Sequence, residues 1–148
     1  MEQHIKVNFY RLMADPISNA PVLVLKPDNE EKLFPIWIGS VEANAISMEI
    51  EQIKSPRPMT HDLISDILCC FDGKIEKVVI SDLDEDDTTF YAKLFLKQGA
   101  NIKIIDCRPS DAITLALKYN SNIYVEERLF NSYPLSDQKT GFLNNKDI

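Results

Sequence analysis

Glycine is scarce, with four in 148 residues, and none stands in the spaced cluster that a phosphate-cradling loop requires. Histidine occurs only at His4 and His61, too few for the multi-histidine centres of metal-dependent phosphohydrolases. The cysteines are Cys69, Cys70 and Cys107. The adjacent pair is badly placed to bridge itself, and no Cys-x-x-Cys or Cys/His ligand spacing exists. A structural zinc site is therefore not expected, and free thiols in a reducing compartment are. No apolar run approaches the ~20 residues of a membrane span, and the first six residues lack the apolar stretch of a signal peptide. The expected location is therefore the cytoplasm, with no membrane partner. Basic residues are outnumbered, 16 against 23, for a net charge of −7. Such a surface repels nucleic acid unless its basic residues cluster or metal ions intervene.

What is present fits one globular domain. A hydrophobic fraction of 45% and a charged fraction of 26% are ordinary, and a chain of this length buries roughly 68–70% of its unfolded surface without staples. Ile5, Val7 and Phe9 alternate with polar residues as a strand does. A turn at Asp15-Pro16 leads to a short run from Val22 to Leu25, and a turn after Pro27 leads to a third strand from Leu33 to Ile38. The period then becomes helical. Ala43, Ile46, Ile50 and Ile53 predict a helix over 40–53, capped by Ser40. The Lys54–Pro58 segment breaks it. Thr60 caps a second helix carrying Leu63, Ile64, Ile67, Leu68 and Phe71 and ending near Gly73.

Strands return over 77–83 and 90–97, joined through the acidic run Asp84–Asp87, and a third spans 102–107. Pro109 opens a helix to about Tyr119, and a short strand over 123–125 is expected beyond it. From Asn131 the composition predicts a loosely ordered tail over 131–148, leaving 1–130 as the domain. The reading is α+β, an antiparallel or mixed sheet with about three helices.

Few residues carry candidate chemistry. The acidic run fails as a calcium loop, because Asp87 stands where glycine is needed and Lys93 where glutamate is needed. A solvated hairpin turn accounts for it. His61 is the best candidate for acid–base work near neutral pH. Asp62 follows it near a helix N-terminus, where a carboxylate is favoured electrostatically. Glu42 and Glu49 lie two turns apart on one face of the first helix. Glu42 stays open as a site residue, while Glu49 reads as a solvated carboxylate.

The densest polar segment is Asp106 to Ala112. Asp106 continues the strand face set by Ile102 and Ile104, which places a carboxylate where an apolar residue is expected. Two accounts stand. In one, Arg108 and the helix N-terminus bind an anion. In the other, Asp111 caps its own helix and Arg108 pairs with Asp106. Arg57, between two prolines, is a second fixed cation.

Taken in order, three stretches resemble the bifunctional nuclease family. They are Pro35–Gly39 followed by Glu42-Ala43, then Arg57–Leu63, then Asp106–Ile113. The strands at Val78–Asp82 and Phe90–Ala92 are also similar. The resemblance implies an α+β fold, RNase and DNase activity, and a homo-oligomer. Cys107 and Thr114 stand where the family often has alanine. The UvrB/UvrC-like segment of some relatives has no counterpart in the short tail.

Two functional readings follow. In the first the protein is a metal-assisted phosphodiesterase acting on DNA or RNA. Glu42, Asp62 and Asp111 would hold Mg²⁺ or Mn²⁺, Arg57 and Arg108 would hold phosphates, and His61 would assist proton transfer. In the second it is a non-catalytic homo-oligomeric module that binds a small anionic ligand or a protein partner, and the same residues knit the strand end to the helices.

Overall fold

The alternating N-terminal runs form an antiparallel meander of β1 (His4–Ala14), β2 (Pro21–Lys26) and β3 (Phe34–Trp37). A computed structural model describes residues 3–84, 86 and 89–132. Asp15 closes the first turn by accepting the Ile17 N–H at 2.9 Å, and Asn19 supplies the left-handed residue at φ 58°. A second ribbon is built from β4 (Gly73–Leu83), β5 (Phe90–Gln98) and β6 (Asn101–Cys107). Gly99, at φ 59°, makes the β5–β6 turn where a side chain would be strained. At the acidic hairpin, the Asp84 N–H donates to the Thr89 carbonyl at 2.9 Å and the Thr89 N–H to Asp84 Oδ1 at 3.0 Å. Residues 85, 87 and 88 of that turn lie outside the described residues.

β7 (Asn122–Glu126) fuses the two ribbons. It runs antiparallel to β1 and parallel to β4, so the sheet order is β3-β2-β1-β7-β4-β5-β6. The last of the described strands, five residues long, thus occupies the middle of the sheet. The central Ile123 and Val125 explain why, being buried together with Val7, Val78 and Ile80.

The described residues hold four helices rather than about three. They are α1 (Ser40–Ile50), α2 (Thr60–Cys70), α3 (Pro109–Tyr119) and the short α4 (Glu127–Ser132). α4 had no signal because its six residues cover less than two helical turns. Its Phe130 stacks on Phe34 at 6.0 Å, and Phe34 meets Phe90 edge-on at 5.4 Å. α1 stops three residues early, turned by Gln52 at φ 55°. Two predicted caps shift by one residue: Gly39 and Met59 precede the helices, so Ser40 and Thr60 stand inside them. Asn131 and Ser132 of the expected tail belong to α4, and 133–148 lie outside the described residues. None of the described helices is long and apolar enough to cross a membrane.

The helices pack on one sheet face. Val78, Ile80, Ala92, Leu94, Ile123 and Val125 meet Ile46, Ile113 and Ala116 there in one core. The opposite face carries Val79, Tyr124, Lys93 and Phe95, and β6 adds Ile102 and Ile104 to it. Those two isoleucines are 50% and 57% exposed. The strand face that predicted apolar burial beside Asp106 is therefore an open one.

Candidate functional site

Glu42, Asp62 and Asp111 occupy the same position in three different helices, the third residue of the first turn. A carboxylate is favoured there by the exposed N–H groups and the helix dipole. The β6–α3 junction and the α1–α3 packing bring these helix starts to one cleft of about 200 Å³. Its lining includes Glu42, Glu49, His61, Asp62, Arg108, Asp111 and Lys118.

Asp111 is the hub. His61 Nε2 lies 2.9 Å from Asp111 Oδ1. Arg108 Nε donates to Asp111 Oδ2 at 2.8 Å and its NH2 to Oδ1 at 3.2 Å. Arg108 NH1 also donates to Glu42 Oε1 at 2.8 Å, tying α1 to α3. Burial raises the Asp111 carboxyl, but the hydrogen bonds from Arg108 and His61 outweigh it and hold the carboxyl below its usual range. An ionised Asp111 accepts only, so the proton between it and His61 is assigned to Nε2, leaving Nδ1 to accept. The second account of this segment fails in both its parts: Arg108 pairs with Glu42 and Asp111 rather than Asp106, and Asp111 does not cap its helix. The Asp111 carboxylate bonds the side chains of His61 and Arg108, and α3 has no side-chain cap bond.

A second group lies deeper along the α1–α3 seam. Lys118 is two turns beyond Asp111, as Glu49 is two turns beyond Glu42. Its Nζ sits 2.5 Å from Glu49 Oε1 and also bonds Asp62 Oδ1. Desolvation lowers the Lys118 ammonium, yet the hydrogen bonds to Asp62 and Glu49 carry it above its ordinary range. The Lys118 hydrogen bond and the Met59 N–H, at 2.8 Å, hold Asp62 below its usual range. Glu49, expected to be a solvated carboxylate, is thus an ion-pair partner with a side chain 23% exposed. Lys118 was missed because a lysine in the last turn of a helix is already explained by the dipole.

Glu42, His61, Asp62, Arg108 and Asp111 line one cleft. Arg57 is exposed in the loop before α2 and does not line the cleft. Among the described residues no three His, Cys, Asp or Glu side chains are grouped closely enough to hold a metal. The reason is visible in the pairing: Arg108 lies on Glu42 and Asp111, and Lys118 on Asp62. The residues as arranged do not fit a three-carboxylate metal centre. Cys107 offers no nucleophile, since burial, with Asp111 and Asp106 nearby, pushes its thiol up to about 11.

An interlocked acid–base and guanidinium cluster at the meeting point of three helix N-termini defines the class of site. The family model of the bifunctional nuclease domain matches residues 23–138, and the chain belongs to that family. Two proteins of Mycobacterium tuberculosis, Uncharacterized protein MT1877 and Uncharacterized protein Rv1829, are each 45% identical to it over 109 residues. The match covers 74% of this chain and 63% of each relative, so the chain spans under two thirds of their length.

Proposed function

We propose that the cleft is the centre of a nuclease-like phosphodiesterase acting on DNA or RNA. The observation that carries this reading is the His61–Asp111 contact of 2.9 Å with Arg108 on the same carboxylate. Asp111 orients the imidazole, and Nδ1 takes a proton from the attacking hydroxyl or water. The new phosphorus–oxygen bond forms as the bond to the leaving oxygen breaks. Arg108, with a side chain 64% exposed, exchanges Glu42 for a phosphoryl oxygen and stabilises the developing charge.

Four carboxylates around two permanent cations leave the cluster negative when His61 is neutral. A divalent ion would relieve that excess, but it would first have to displace Arg108 or Lys118. Mg²⁺ and Mn²⁺ are therefore variables of the test. That test is hydrolysis of labelled DNA and RNA, single- and double-stranded, with and without these ions. His61→Ala and Asp111→Asn are expected to lower cleavage about 10²-fold or more. Cleavage equal in the wild type and both variants would defeat the assignment.

One observation favours the second reading, a homo-oligomeric module. α2 has no buried residue, and its Leu63 and Ile67, with Phe71 at its C-cap, form an apolar stripe, 54%, 48% and 68% exposed. A second copy covering this stripe would make the chain a dimer or larger. Light scattering on wild type and Ile67→Glu tests this: loss of a larger species in the variant supports the reading, and a monomeric wild type removes it.

A further inference from the structure

The open sheet face gathers lysines that the overall charge conceals. Strand register places Lys77, Lys93 and Lys97 on it together with Phe95 and Val79. β1 and β7 add Lys6 beside Tyr124, and Lys74 pairs across from Lys97. Lys97 reaches Glu76 at 4.0 Å. Among the described residues, Lys6, Lys74, Lys77 and Lys93 have no ion-pair partner. Five of the 16 basic residues thus share one face of a chain whose net charge is −7.

Aromatic rings alternate with these cations. Lys77 Nζ lies 4.6 Å from the Phe95 centroid and 5.7 Å from that of Tyr124, which holds a cation level with two rings. Tyr91, at 43% exposure, and Ile104 extend the surface toward the β6 edge. Residues two apart on a strand are about 7 Å apart on such a face. A lysine-and-ring surface of this spacing suits an extended polyanion with flat apolar groups.

We infer that this face binds single-stranded nucleic acid and leads it around the β6 edge, where Asp106, Cys107 and Arg108 join it to the cleft. Charge complementarity selects the occupant. A symmetric second copy would set these lysines against themselves. Unstacked bases can meet ring faces while lysines meet the phosphates. A duplex hides its bases and would gain only the charge contacts. The inference deepens the nuclease reading and rests on it for the polyanion's class.

Binding is tested without cleavage, by fluorescence anisotropy of labelled ~20-nucleotide oligo(dT) and oligo(U) with the full chain in EDTA. Wild type is expected to bind, with affinity falling steeply as salt rises. Lys93→Glu and Lys6→Glu, both exposed positions, should each weaken binding about 5–10-fold at about 0.1 M salt with unchanged circular dichroism. A duplex of equal length should bind more weakly than the single strand. The inference is overturned by absent binding, by variants that bind like wild type, or by capture on phosphatidylserine vesicles but not on oligonucleotides. Cleavage without this binding would sink the inference alone, whereas binding without cleavage would sink only the catalytic reading.

Discussion

Gly39 and Glu42 meet over the N-terminus of α1: a Cβ on Gly39 would stand 2.2 Å from Glu42 Oε2. The missing side chain lets the carboxylate fold back there while its other oxygen holds Arg108 at 2.8 Å. Gly39 has an extended backbone that any residue could adopt, so the constraint is space alone. Gly39→Ala should push Glu42 off Arg108. In a double-mutant cycle with Glu42→Ala, measured by urea unfolding, the coupling should be about 1 kcal/mol. The helix-cap preference for glycine over alanine enters both backgrounds and cancels. Additive costs would show that the two residues do not interact.

Lys118 separates two carboxylates that would otherwise face each other. Lys118→Met leaves Glu49 and Asp62 without their shared cation in a partly buried seam. The expected loss is about 1–3 kcal/mol of unfolding free energy, and Glu49→Gln in the same background should recover part of it. A neutral Lys118→Met would mean that solvent screens this seam as it does surface pairs.

Acid stability follows from the two depressed carboxyls. Asp62 and Asp111 titrate lower in the folded chain than the ordinary 3.8, so the unfolded chain binds more protons as pH falls toward their folded values. Their contribution is fully present above the unfolded value and is lost as pH drops through the folded ones. Unfolding free energy should therefore decline below about pH 4, and Asp62→Asn should flatten that decline. The same acid limb in wild type and variant would contradict the Lys118–Asp62 pairing.

The thiols should divide by environment. Cys69 and Cys70 are exposed, whereas Cys107 is half-buried and its thiol is pushed up to about 11. At pH 8, titration with an aromatic disulfide reagent should show two fast thiols and a third that reacts only on unfolding. Three fast thiols would show that the β6–α3 junction opens in solution.

Local pattern made most of the elements legible. Pro109 marked the first residue of α3, the alternation around Val7 marked β1, and the apolar run from Val22 to Leu25 marked β2. Position in the sheet was not legible, because β7 pairs with strands far from it in sequence. Ile102 and Ile104 misled for a related reason: alternation shows that two residues share a face, not which face is covered. At the site, His61, Asp62, Arg108 and Asp111 stood out as polar residues near helix starts. Lys118 and Glu49 were explicable as helix-surface charges and needed the α1–α3 contact to become partners.

The most direct test of the account is cleavage of single-stranded RNA and DNA by wild type and His61→Ala, purified identically and followed across the eluting protein peak. The account predicts cleavage that tracks the wild-type peak and falls about 10²-fold or more in the variant, with the fold unchanged. Equal cleavage by both proteins, or none by wild type with or without Mg²⁺ or Mn²⁺, would contradict it.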